Sequence, residues 1–443
     1  MTGPEAQSPQ VDIQDEPSGG LRAWCMLGVL IMAYTFSYLD RQSLTLLVGP
    51  IKASLDISDT HLSLLHGFAF AIFYSILGLP IGRLVDSRKR TRIVAIGIVV
   101  WSVMTAACGL ARNFTHLFLA RVGVGAGEAA LSPAAYSLIS DSFPARRLPL
   151  ALSIYNCAIY LGAGLATIIG GAIISAMPAT TVPVIGHLEP WQAVFIVIGL
   201  PGVLVAALVL TLREPRRTRV KAGAVNGFAD TRRYFFAHLR TYGLLMLAAS
   251  MLTLVWNAPL AWYPTYLMRV FGWTTAEVGS RFGTVILISG VCGVLSGGVL
   301  AGWLRGKGVA DAYILLGLIA CALAVPAGLV SGLVGSAWVV LALVFVFQFG
   351  CAIPFGGLAA ALQEITPNQM RGQMTALYLL LANLFGIGLG PTVVAAFTDH
   401  VFGNEMAIGH SITATVALAG PFAALLFWLC RRPYRHTLAN LEF

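Results

Sequence analysis

Twelve apolar runs of about 20 residues follow one another along the chain, and no other feature limits its fold as much. They lie at roughly 22–49, 61–84, 92–111, 114–140, 148–176 and 191–212, then at 241–269, 276–304, 309–332, 336–362, 373–399 and 408–431. About 20 helical residues cross the ~30 Å hydrocarbon layer of a bilayer. Only helices or closed barrels cross it with every backbone group paired. Of the 443 residues 57% are hydrophobic and 11% charged, whereas a soluble domain has about 25% charged residues. One soluble core stops growing near 250–300 residues, so lipid must be the solvent for the excess. The predicted class is an all-α membrane protein with 12 transmembrane helices.

The polar stretches divide the chain. Residues 1–21 form a polar, acidic tail expected to be disordered, 22–212 a first six-helix domain, 213–240 a linker, 241–432 a second six-helix domain and 433–443 a tail. "DSFPARRLPLALSIY" (141–155) follows the fourth run and "EITPNQMRGQMTALY" (364–378) the tenth. Each has an acid, Pro three residues on and Tyr fourteen on, at an offset of 223 residues. Such a repeat at half the chain length points to a duplicated six-helix unit and two pseudo-symmetric bundles.

The net charge of +9 could suggest nucleic acid, but the positions of the bases exclude that reading. Even-numbered loops and the C-terminal tail hold 21 of the 28 Lys and Arg. Odd-numbered loops hold four, Lys52, Arg112, Arg269 and Arg281. The positive-inside rule then places both termini in the cytoplasm. The expected location is a bacterial inner membrane, as a multi-pass protein. Seven cysteines without a CxxC spacing read as small buried hydrophobes, and the eight histidines form no metal-like cluster. With no nucleophile–base pair, metal set or phosphate loop, an enzyme is not expected, nor any cofactor beyond a proton gradient.

Charges inside the runs are where chemistry is expected. "YTFSYLDRQSLTLLVGP" (34–50) carries Asp40 and Arg41, and "RVGVGAGEAALSP" (121–133) carries Arg121 and Glu128. Each such charge costs roughly 2.5 kcal/mol or more in lipid. Arg121 and Glu128 are seven residues apart, on one helix face and about 10.5 Å apart along the axis. Asp40 and Arg41 point about 100° apart, so they cannot face one partner. Two acids and two bases are neutral together, which makes burial tolerable. Protonating Asp40 or Glu128 would leave a freed arginine, a good ligand for carboxylate or phosphate. Proton and anion binding would then be coupled through the same four residues. Alternatively, the set is a structural ion-pair network joining the two helices.

The second half is poorer in buried charge. It offers aromatic and neutral polar groups, and the candidates to line a cavity are Tyr34, Tyr155, Trp256, Asn257, Tyr263, Gln348, Tyr378 and Asn383. A cavity polar on one side and apolar on the other suits an amphipathic substrate. "GRLVDSRKRTR" (82–92) sets Asp86 among bases and reads as a cytoplasmic gate, with Asp86, Arg90 and Asp141 holding the halves together in one state.

"GRLVDSRKRTR" resembles the loop 2–3 signature of the major facilitator superfamily, with Ser87 and Lys89 departing from it. "RVGVGAGEA" is similar to that superfamily's fourth-helix signature. "YLGAGLATIIGG" (160–171) lacks the Gly-Pro pair of its antiporters. Through most of 34–171 the chain looks like a bacterial member of the Spinster family. The resemblance implies the 12-helix major facilitator fold, alternating access, proton dependence and lipid-like substrates such as sphingolipids or lysophospholipids, and it implicates Asp40, Arg41, Arg121 and Glu128. The expected partners are a small amphipathic substrate, protons and membrane lipids, with the chain a monomer. Anion:cation symporters share "YLDR" and "RVGVGAGEA", so a proton-coupled symporter of small carboxylates is the alternative. A sensor or channel fits duplicated halves and buried paired charges less well.

Overall fold

The structure, a computed structural model, describes residues 19–144, 147–176, 180–182, 186–215, 228–367 and 370–440. The side chain of Asp86, most of the expected N-terminal tail and residues 216–227 of the expected linker lie outside the described residues. Eleven helices are long and apolar enough to cross a membrane. They are the first span Leu21–Leu46, second Asp59–Gly78, third Arg90–Cys108, fifth Leu150–Ala176, sixth Pro190–Leu210, seventh Leu239–Phe271, eighth Thr275–Gly306, ninth Ala312–Ser331, tenth Ala337–Glu364, eleventh Arg371–Phe402 and twelfth Glu405–Ala439. The fourth span is present but broken, as Phe114–Glu128 and Leu131–Ser140. Pro133 explains the break: it has no N–H for the Ala129 carbonyl, and its ring crowds that carbonyl. With this span counted the architecture is the expected 12-helix one. One small departure from all-α is an antiparallel hairpin, Thr180–Val182 with Gly186–Leu188, between the fifth and sixth spans.

The linker contributes one further helix, Phe228–Ala237, ahead of the seventh span. Outer faces stay apolar, with Leu204, Val299 and Leu418 exposed as expected of surfaces meant for lipid. In the first half the first span packs on the fifth, and the third on the fourth and sixth. In the second, the twelfth packs on the seventh and ninth, and the tenth on the eighth and ninth.

Two contacts join the halves most closely: the fifth span against the eighth, and the second against the eleventh. Both rely on missing side chains. A Cβ on Gly164 would lie 2.8 Å from the Gly283 carbonyl oxygen. One on Gly67 would lie 2.2 Å from the Ile387 carbonyl oxygen. Both helices of the second contact widen there into π turns, Leu64–Phe68 and Leu384–Leu389. Pro391 offers Ile387 no i+4 N–H, which accounts for the second widening. The bundle end carrying odd-numbered loops is called the odd-loop end below, and the opposite one the even-loop end.

Candidate substrate and proton site

Arg41 and Glu128 form a buried ion pair between the first and fourth spans. Arg41 Nη2 is 2.5 Å from Glu128 Oε2, and Nε donates to the same oxygen at 2.6 Å. Ser37, one turn before Arg41, donates its hydroxyl to that oxygen at 2.5 Å. Helix direction explains the meeting. Side chains lean toward their own helix's N-terminus. The two spans run antiparallel, so Arg41 leans toward the even-loop end and Glu128 toward the odd-loop end. The Arg41 guanidinium also lies 4.3 Å from the Phe70 ring centroid and 4.9 Å from those of Tyr38 and Tyr74. Such faces attract a cation by about 0.5–2 kcal/mol each. The Glu128 side chain is fully buried and that of Arg41 is 11% exposed, so the acid is sealed while the base reaches open space. A small cavity there is bounded by Tyr38, Arg41, Gln42, His66, Phe70 and Asn257.

Asp40 and Arg121 are both buried, yet they do not form the second ion pair that charge balance suggested. Asp40 Oδ2 accepts from the Thr105 hydroxyl of the third span at 3.0 Å. Arg121 Nη1 donates to the Asp40 main-chain oxygen and Nε to the Leu65 main-chain oxygen, each at 3.4 Å. The same lean that joins Arg41 to Glu128 separates these two. The Asp40 carboxylate tilts toward the even-loop end and the Arg121 guanidinium toward the odd-loop end, where helix carbonyls of the first span point. The four residues are together, but as one ion pair and two separately held charges.

Aromatic rings extend the site: Tyr34, Tyr155 and Trp256, expected from the sequence, with Tyr74, Tyr136, Tyr160 and Phe355, which sequence reasoning missed. Tyr34 stacks on Tyr155 at 4.7 Å, and Tyr136 meets Tyr155 edge-on at 5.6 Å. Tyr136 donates to Asn156 Oδ1 at 2.9 Å, and the Tyr74 and Ser132 hydroxyls are 3.2 Å apart. From the second half, Trp256 and Phe355 close around Tyr160 at 6.1 and 6.2 Å. Three second-half candidates are hydrogen-bonded within that half. Trp256 donates to Gln348 at 2.9 Å, and the Tyr263 hydroxyl lies 2.8 Å from that of Ser331. All three are buried with partners of their own. Asn257 does face the cavity beside Arg41, and Tyr378 and Asn383 are half-buried on the eleventh span.

The Major Facilitator Superfamily model matches residues 30–391. The chain belongs to that superfamily. It is a transporter of that superfamily, not an enzyme, and it resembles Spinster proteins in sequence and fold. It is 29% identical to an MFS-type efflux pump of Mycolicibacterium smegmatis, over 97% of this chain and 98% of the relative. It is 24% identical to the hexuronate transporter of Bacillus subtilis, over 88% of this chain and 92% of that one. Among solved structures, a bacterial homologue of the human lysosomal transporter Spinster, in an inward-facing and unoccupied conformation, superposes with a TM-score of 0.81. That homologue is 26% identical, over 94% of this chain and 98% of its own.

The transporter is braced differently at its two ends. At the even-loop end Arg90 holds Asp141 at 2.5 Å and Glu214 at 3.0 Å. Both partners belong to the first half or the segment after its sixth span, so in this conformation Arg90 braces one bundle. At the odd-loop end the bonds cross between halves. Arg269 grips Asp59 with both terminal nitrogens, at 2.5 and 2.7 Å. Lys52 bonds Asp59 of its own half at 3.0 Å and crosses to Glu405. The Thr60 N–H and hydroxyl both donate to Asp399 Oδ2, at 2.8 and 2.7 Å. Sequence reading had seen Lys52 and Arg269 only as minority bases in outward loops. Arg269 meets Asp59 across 210 positions and Lys52 meets Glu405 across 353, while Lys52 and Asp59 are only seven apart.

Proposed function

We propose that this protein is a proton-coupled alternating-access transporter of an amphipathic, anionic, lipid-like substrate. The observation that carries this reading is Arg41, held by one buried carboxylate, surrounded by aromatic rings and open to a cavity. A proton on Glu128 cancels the charge that holds Arg41. The guanidinium, still attracted by Tyr38, Phe70 and Tyr74, then becomes available to a substrate anion. Apolar parts of the substrate rest on Tyr34, Tyr155 and Tyr378. Asp40, held by Thr105 without a cation, is a second proton-carrying group on the same span. The proton gradient is the sole energy source and the working unit is a monomer.

In this reading the odd-loop end faces outward, both termini lie in the cytoplasm and the membrane is a bacterial inner membrane. The crossing bonds of Asp59, Lys52 and Arg269 then close the outer side. The likeness to a homologue solved in an inward-facing conformation supports that assignment.

A second reading, a symporter of small organic anions, is favoured by the likeness to a relative named for hexuronate. Arg41 serves a small carboxylate equally well. The deciding experiment places purified protein in liposomes holding a pH-sensitive dye and adds lysolipids or, separately, hexuronates. Proton movement with lysolipids alone, lost in Asp40→Asn/Glu128→Gln, is expected. Movement with hexuronates alone establishes the second reading, and substrate transfer without proton movement refutes coupling.

A further inference from the structure

An open groove of about 510 Å³ lies between the third and sixth spans, away from the central cavity. Its floor is small, Ala95, Ala206 and Ala207, and its rims are Ile96, Val99, Val100 and Val203. From Arg92 to Val100 it follows about 12 Å of helix, close to the ~15 Å depth of one leaflet's hydrocarbon. Arg92 stands at its even-loop mouth and is exposed. A built contact fixes the chain just past the sixth span at this same end. Arg90 donates its main-chain N–H and Nε to Glu214 Oε1, both at 3.0 Å, and Nη2 to the Pro215 carbonyl at 2.9 Å. This pins the chain leaving the sixth span onto the start of the third, and exposed Arg213 is the residue just before Glu214, three past groove-lining Leu210.

We propose that this groove is a site for one anionic phospholipid, its phosphate held between Arg92 and Arg213 and one acyl chain lying over Ala95, Ala206 and Ala207. The charge complementarity selects the occupant: two bases at the depth of the head groups above an uncharged groove at the depth of the tails. Arginine suits phosphate because its planar fork donates two parallel bonds. A second copy of this chain would bring its own bases of the same loop to the same mouth, which disfavours a protein occupant.

The test is native mass spectrometry of the full chain in detergent, supplied with phosphatidylglycerol or phosphatidylcholine of identical chains. One phosphatidylglycerol should be retained in preference. Removing either base should weaken that retention about fivefold, the effect of one base near an anionic head group. Arg92→Gln/Arg213→Gln should abolish the preference, while Arg92→Lys/Arg213→Lys should keep most of it. Ala206→Phe, which fills the floor and leaves both bases, should release the lipid too. Equal retention of the two lipids, unchanged retention in the glutamine double variant, or wild-type dimers that Ala206→Phe dissociates would each overturn the proposal.

Discussion

Arg121 touches Asp40 without pairing with it. Its Nη1 lies 3.4 Å from the Asp40 main-chain oxygen, while Asp40 Oδ1 and Arg121 Nη2 have no protein hydrogen-bond partner. Glu128, on the same helix as Arg121, has both an arginine and a serine on one oxygen. Two buried acids in one site therefore have different surroundings, and they are expected to do different work.

Asp40→Asn keeps a group that can accept from Thr105 and removes the titratable carboxyl. It is expected to stop proton movement in the liposome assay while substrate still binds. Glu128→Gln removes the anion that competes for Arg41. Binding should tighten by about 5- to 150-fold, the range of typical couplings between linked sites, and should lose its pH dependence. Titrating substrate into each purified variant at two pH values checks both outcomes.

Arg41→Gln leaves Glu128 buried without its cation. Breaking one partner of a buried pair costs about 3–5 kcal/mol, so the melting transition should fall well below that of the wild type. Adding Glu128→Gln should recover much of that loss and none of the transport. A thermal-stability double-mutant cycle, run beside transport, separates the two effects.

Asp59 is held across the halves by Arg269 and within its own half by Lys52, and its side chain is fully buried. Asp59→Asn is expected to cost about 2–5 kcal/mol of closure at the odd-loop end, enough to populate the state open there. Spin labels on Ala53 and Phe402 should report a longer distance in the variant. A charge exchange, Asp59→Arg with Arg269→Asp, should shorten it again.

Gly67→Ala tests the same closure without touching a charge. Its Cβ would stand 2.2 Å from the Ile387 carbonyl oxygen, a backbone atom with little room to retreat. The label distance should lengthen as it does for Asp59→Asn. An unchanged distance would show that the π turns of the second and eleventh spans absorb the methyl group.

The spans, their number and the location of the buried charges could be read from the chain itself, because lipid demands about 20 apolar residues per crossing and penalises every charge within one. Pro133, three residues past the Ala129–Ala130 step, even marked where the fourth span breaks. Ser37 was legible too, since a residue four before Arg41 shares its helix face. Which charges pair was not legible. Charge balance treated Asp40 and Arg121 as partners, but pairing depends on the opposed lean of side chains on antiparallel helices, and that sends Asp40 to Thr105. The cage of Phe70 and Tyr74 around Arg41, the bonds of Trp256 to Gln348 and of Tyr263 to Ser331, and the grip of Arg269 on Asp59 likewise join residues 29 to 210 positions apart. Solvation by lipid acts on each segment separately and so is written locally in the sequence. Ion pairs and ring contacts act over a few ångströms between segments, and only the packed helices decide which of them meet.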